Sequence, residues 1–144
     1  AFQFVIDLNY STLMPHDEAD FVIAGPGAHD GISKCFSNVG ERTAEEVIHW
    51  VCDRQELEFA ERRIAFPGLF GRRLQPIDCQ NLFCEISKYA RVAHPDVAGK
   101  SGRTRIKQTF TEDTTPLASP RFPPSWGLSV PKGLGGRASA PMLL

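Results

Sequence analysis

No stretch of this 144-residue chain approaches the roughly 20 uninterrupted apolar residues that span a bilayer, so no membrane span is expected. Metal-ligand pairs are scarce as well. Cys35, Cys52, Cys79 and Cys84 are separated by 17, 27 and 5 positions, with no C-x-x-C among them. His16, His29, His49 and His94 are scattered and complete no zinc pattern. Four cysteines are too few for a disulfide scaffold, so reduced thiols in an intracellular protein are expected, without metal or cofactor. The opening run Ala1-Phe2-Gln3-Phe4-Val5-Ile6-Asp7 lacks a basic n-region and a small-residue cleavage site, so it does not read as a signal peptide. It starts inside an apolar run without an initiator Met, and the chain reads as an N-terminally incomplete fragment. Internal repeats are absent. A large charge of one sign is absent too, since the formal net charge is -1.

The charge that is present is unevenly spread. Residues 1–61 hold three basic and twelve acidic side chains, whereas residues 62–107 hold ten basic and three acidic. Such asymmetry fits a negatively charged partner on one side, and it equally fits a solvated basic face. Apolar residues make up 42% and charged residues 23%, which suits one ordinary globular domain. From Thr114 onward ten of 31 residues are Pro or Gly, so residues 111–144 are expected to be a disordered tail, with Phe122 to Trp126 docking locally. Residues 1–110 form the expected domain.

Along that domain the pattern is helical. Residues 2–14 fit a helix or a strand equally well. A short helix is expected from Ala28 to Phe36, with Ile32, Cys35 and Phe36 inward. Thr43 and Glu46 form a capping box that opens a helix running to about Ile64, with Val47, Trp50, Val51, Leu57 and Ile64 in line. Residues 71–76 read as an exposed basic connection. Asp78 looks like the N-cap of a last helix carrying Leu82, Phe83, Ile86, Tyr89 and Ala90 on its buried side, and His94-Pro95 stops it. Residues 99–107 form a basic loop.

Two motifs bear on chemistry. The segment Val22 to Ile32 contains Gly25-Pro26-Gly27, a tight turn expected between two short helices. Its exposed N–H groups and the following helix dipole would favour a phosphate. This is the shape of a helix-hairpin-helix, which grips a nucleic-acid backbone without reading bases; an ordinary helix–helix turn explains it equally well. The nucleotide fingerprint G-x-G-x-x-G fits less well, because Asp30 stands where the third glycine belongs. The second motif runs from Leu74 to Ile86. Asp78 at its helix start would stay ionised and accept a proton, or act only as a cap. Gln80 and Asn81 are placed to meet a base edge or solvent.

A glycine hairpin, a long helix and then Pro76-Ile77-Asp78-Cys79-Gln80 follow the order of the helix-hairpin-helix DNA glycosylase superfamily. The chain more closely resembles the alpha-glutamyl/putrescinyl thymine pyrophosphorylases, a branch linked to DNA base hypermodification. The residues that carry this are 7–11, Ala24 to Phe36, Ile77 to Tyr89, and Arg105-Ile106-Lys107-Gln108, so the resemblance spans roughly residues 2–110. It implies an all-α, glycosylase-like helical domain. The implied reaction replaces pyrophosphate on a 5-(pyrophosphoryloxymethyl)uracil base in DNA with an amine, an amino acid or polyamine. On that reading Asp78 is the catalytic residue. Gly25, Gly27, Ala28, His29 and Lys34 hold the DNA backbone, and Arg103, Arg105 and Lys107 stabilise the leaving pyrophosphate. Gln80 and Asn81 meet the flipped base, and Tyr10, Phe36 or Phe83 stack on it. Arg72 and Arg73 face neighbouring phosphates or solvent, and Cys79 and Cys84 are a nucleophile option. The partners are then DNA and an amine co-substrate. The rivals are a DNA glycosylase, a non-catalytic DNA-binding module and a protein-interaction domain.

Overall fold

The computed structural model describes residues 2–12, 19–107, 111–115 and 121–128. These residues are helical, without a strand, as the all-α expectation required. The elements are α1 (Phe2–Leu8), α2 (Pro26–Cys35), α3 (Ala44–Glu61), α4 (Pro76–Ala93) and a 3₁₀ turn (Pro124–Trp126). They divide between two compact units. One comprises Asp17–Thr109, and the other gathers both ends, Ala1–His16 and Phe110–Leu144. In the smaller unit the N–H and hydroxyl of Ser11 both reach Leu8 O and close α1. There too, the Phe122 and Trp126 rings stack at 6.1 Å around a buried Pro123. The tail expected from residue 111 otherwise falls largely outside the described residues.

In the larger unit each helix starts for a local reason. Thr43 and Glu46 make the expected capping box: the Thr43 hydroxyl accepts the Glu46 N–H, and the Glu46 carboxylate accepts the Thr43 N–H. At α4 the N-cap is Gln75, not Asp78. Pro76 takes the first helical position, where its missing N–H costs nothing, and Asp78 at N3 accepts the Gln75 N–H at 2.8 Å. Helix α2 also starts on a proline, Pro26. Residues 21–25 before it are in no helix and Gly25 has an extended backbone, so Pro26 and Gly27 open α2 instead of joining two helices.

Helices α2 and α4 approach so closely that at Gly31 only glycine fits, and at Gly27 a larger residue would crowd α4. A Cβ on Gly31 would lie 2.0 Å from Phe83 O, and one on Gly27 would lie 3.0 Å from Cys84 Sγ. Glycine thus serves helix packing here. On the other side of α4, Cys52 and Cys79 bury the α3 contact. The Gln55 amide clamps the peptide of Leu74, donating to its O at 3.0 Å and accepting its N–H at 2.8 Å.

The buried stripes differ from those expected. Helix α3 buries Val47, Ile48, Cys52 and Gln55, while Trp50, Leu57 and Ile64 are exposed. Helix α4 buries Pro76, Cys79, Phe83, Ser87 and Ala90, at steps of three and four, and exposes Leu82, Ile86 and Tyr89. Cys35 of α2 is exposed as well. In α3 and α4 the cause is the same. A polar side chain, Gln55 or Ser87, occupies the interior because it has a buried partner there, and this rotates the helix away from its most apolar face.

The partner of Ser87 is Asp30, a carboxylate with four polar neighbours and only 1% exposed. Its Oδ2 accepts the Ser87 hydroxyl at 2.6 Å and lies 3.3 Å from Lys34 Nζ and 3.6 Å from Arg91 Nη2. Its Oδ1 accepts the Ser101 N–H at 2.8 Å. Burial alone would raise the pKa of this carboxyl. The hydrogen bonds from Ser87, Ser101 and Lys34 outweigh burial and hold it well below the usual carboxylate range. One carboxylate therefore ties α2, α4 and the chain beyond α4 together.

Asp30→Asn leaves two cations buried without their carboxylate, and should destabilise the domain by about 3–5 kcal/mol at neutral pH. Because the folded-state pKa is lowered, this contribution is complete above the unfolded value of about 3.9 and is lost as pH falls from there toward the folded-state value. Urea unfolding at pH 7 and between pH 5 and pH 2.5 checks both points. The variant should have a lower midpoint at pH 7 and a flatter acid limb.

Candidate nucleic-acid interface

Beyond α4 the chain turns back over α2. Lys100 N–H donates to Ser33 Oγ at 3.0 Å, Ser101 N–H to Asp30, and Gly102 N–H to Gly99 O at 3.1 Å. Arg91 Nη1 donates to Arg105 O at 3.3 Å. Gly99 sits where a Cβ would lie 2.3 Å from Asp30 Oδ1, so glycine is required for the chain to reach the carboxylate. These bonds occupy the backbone of residues 99–105 and turn the basic side chains outward. Lys100, Arg103, Arg105 and Lys107 are exposed, and none is in an ion pair among the described residues. Gly99-Lys100-Ser101 has the ending of a phosphate-binding loop. Here, however, the Lys100 and Ser101 N–H groups serve Ser33 and Asp30, so this segment is an anchor.

Against this loop lies a cleft of about 260 Å³ between α2 and the start of α3. His29, Ser33, Arg42 and Lys100 line its rim, with Glu45. Ile32 and Val47, both buried, form its floor. One Glu45 oxygen accepts the Ala24 N–H at 2.8 Å; this bond, against the opposing effect of burial, lowers its pKa and keeps it charged. A second cleft of about 420 Å³ lies among Phe59, Phe66, Arg72 and Arg73. Its arginines already face carboxylates, Arg72 with Asp78 at 3.3 Å and Arg73 with Glu56 at 3.0 Å. In the first cleft, by contrast, Arg42 and Lys100 are in no ion pair among the described residues.

The residues singled out in the sequence are distributed as follows. Arg103, Arg105 and Lys107 come together on the anchored loop, and His29 is exposed on the adjoining cleft. Lys34 is 3% exposed and committed to Asp30 and Ser87 O, and Ala28 is buried, so neither presents a group to a ligand. Gly25 abuts Gln80, 3.8 Å from its Nε2 at the position a Cβ would take, and Gly27 abuts Cys84. Gln80 lies two residues past Asp78, about 200° around the helix, so the glycine bend and Asp78 flank different sides of α4. Asp78 is engaged by the Gln75 N–H and by Arg72, so residues 72–76 are not a simple solvated connection. Asn81 is exposed. Phe83 is in the core with Phe36 against it at 6.2 Å, while Tyr10 is exposed in the smaller unit. Burial raises the thiol pKa of Cys52 and Cys84 and pushes Cys79 up to about 12, which keeps them protonated and poor nucleophiles.

Sequence reasoning gave no role to Asp30, Ser33, Arg42, Ser87 or Arg91, and took Lys100 only as part of the basic loop. The usable signal was spacing. Asp30 with Lys34 and Ser87 with Arg91 are both i,i+4 pairs, so each places a cation one turn beyond a small polar group. Among the described residues no group of three His, Cys, Asp or Glu side chains is placed to hold a metal ion. No helix among them is long and apolar enough to cross a membrane.

A family model described as "5-hmdU DNA kinase, helical domain" matches residues 1–99, which include all four α-helices and the anchoring Gly99. No curated protein and no solved structure matches the chain. The base in that description is 5-hydroxymethyluracil, so the matched family and the thymine pyrophosphorylases share the subject of DNA base hypermodification. With well over half of its length matched, the chain belongs to the family of 5-hmdU DNA kinase helical domains.

Proposed function

We propose that this chain is the DNA-holding part of a base-hypermodification enzyme working at 5-hydroxymethyluracil or its phosphorylated forms. The loop of residues 99–107 is its grip on the backbone phosphates. The observation that carries this reading is the set of four exposed cations, Lys100, Arg103, Arg105 and Lys107, without carboxylate partners among the described residues, on a loop fixed by a buried carboxylate. Arginine and lysine fixed on a rigid loop meet phosphates without reading sequence, which suits a domain that must find one modified base in any context.

Amine-for-pyrophosphate exchange is the finer form of the same reading. Arg103, Arg105 and Lys107 support it, since a leaving pyrophosphate needs cations. Asp78 weighs against it, because its carboxylate is already engaged by Gln75 N–H and Arg72 and is poorly placed to take a proton from an amine. The same engagement weighs against a glycosylase that would use Asp78 to steady a sugar cation. A phosphate grip needs neither step.

Fluorescence anisotropy with a duplex containing 5-hydroxymethyluracil tests the proposal. The logarithm of the affinity should fall linearly with log salt, with a slope of about 0.9 for each phosphate contacted. Arg103→Ala and Arg105→Ala should each flatten that slope by about one. Absence of binding at about 50 mM salt, or a slope indifferent to both changes, would overturn it.

A further inference from the structure

The cleft between α2 and the start of α3 shares only Lys100 with the grip just described, and its lining is that of a small-ligand site. Its floor is closed and apolar: Ile32 is 6% exposed and Val47 2%. Its rim is polar and cationic. The Arg42 Nη1 donates to Val39 O at 3.3 Å, which fixes the guanidinium at the edge. Lys100 is held there through its own backbone bond to Ser33, and neither cation is paired with a carboxylate among the described residues. Glu45 is the single anionic group of the lining, and its charge keeps a second anion toward Arg42 and Lys100.

We infer that this cleft receives one pyrimidine nucleoside monophosphate, in DNA the single nucleotide extruded from the stack. Its phosphate lies toward Arg42 and Lys100, and its ring lies over Ile32 and Val47. Size and charge both favour this occupant. At about 260 Å³ the cleft falls just below the ~300–1,000 Å³ of drug-sized ligand sites, so it suits one nucleotide and excludes a peptide helix. An enzyme that works on a base must take it out of the duplex, and a flipped base needs an apolar bed with polar groups at the edge. Lys100 belongs to both the cleft and the basic loop, so a duplex held by residues 103–107 has its backbone beside the cleft mouth. The inference rests on the proposed DNA grip and adds a site to it.

The test is titration of the isotope-labelled full chain with thymidine 5′-monophosphate, followed by amide NMR, alongside thymidine and orthophosphate. Thymidine 5′-monophosphate should shift the amides of His29, Ser33, Arg42 and Lys100. Thymidine and orthophosphate should each bind at least about tenfold more weakly, the loss expected for one charge-assisted contact. Arg42→Gln should weaken the nucleotide about tenfold, and Lys100→Gln makes the same test if the first variant does not fold. No shift at these amides, or orthophosphate binding as tightly as the nucleotide, would overturn the inference. A silent cleft with duplex affinity intact removes only the cleft. A responsive cleft with no duplex affinity removes the grip and leaves a nucleotide site.

Discussion

The larger unit depends on one buried carboxylate. Asp30 receives a hydroxyl from α4, a backbone N–H from the chain beyond α4, and the charges of Lys34 and Arg91. A carboxylate so deeply buried is tolerable only because its acceptor sites are filled and two cations stand by. The consequence is positional. Residues 99–105 contribute no side chain to the apolar core, so the position of this segment rests on polar bonds to Asp30, Ser33 and Arg91. Gly27, Gly31 and Gly99 clear the space in which α2, α4 and the returning chain meet.

The same arrangement explains how a chain of net charge -1 presents a basic surface. Much of the acidic first half is used internally. Asp30 is buried, Glu46 caps α3, Glu45 holds Ala24 N–H, Glu56 faces Arg73, and Glu58 pairs with Arg54 and Arg62. Lys100, Arg103, Arg105 and Lys107 have no such partners among the described residues. Their field is therefore concentrated on one side, and their phosphate affinity should be salt-dependent. Membership in a family of helical domains named for work on a modified DNA base gives that field a natural object.

Features set by neighbouring residues were legible in the sequence. The Thr43 and Glu46 box, the stop at His94 and the helical class all follow from contacts within a few positions. Helix faces were not. Counting apolar residues puts Leu82, Ile86 and Tyr89 inside α4, but Ser87 and Cys79 go inside instead, and only a partner 57 positions away explains Ser87. Asp78 shows the same limit at shorter range. A Pro two residues earlier moved the cap to Gln75, and Arg72 took up a carboxylate that looked available for chemistry. The glycines of residues 25–27 read as a turn between two helices, but Pro26 and Gly27 lie in the first turn of α2, and the closeness of Gly25 to Gln80 and of Gly27 to Cys84 was not legible. Of the candidate site, the loop cations stood out by composition, whereas the cleft that adjoins them required the fold.

Gly99→Ala isolates whether Asp30 positions the basic loop, because it alters no charge. The added methyl would meet Asp30 Oδ1 at 2.3 Å and push the loop off its anchor. Duplex affinity at fixed salt, measured beside helix content by circular dichroism, decides the matter. We predict retained helix content with about a tenfold loss of affinity, as expected when one or two phosphate contacts lose register. Undiminished affinity in the folded variant would contradict the account.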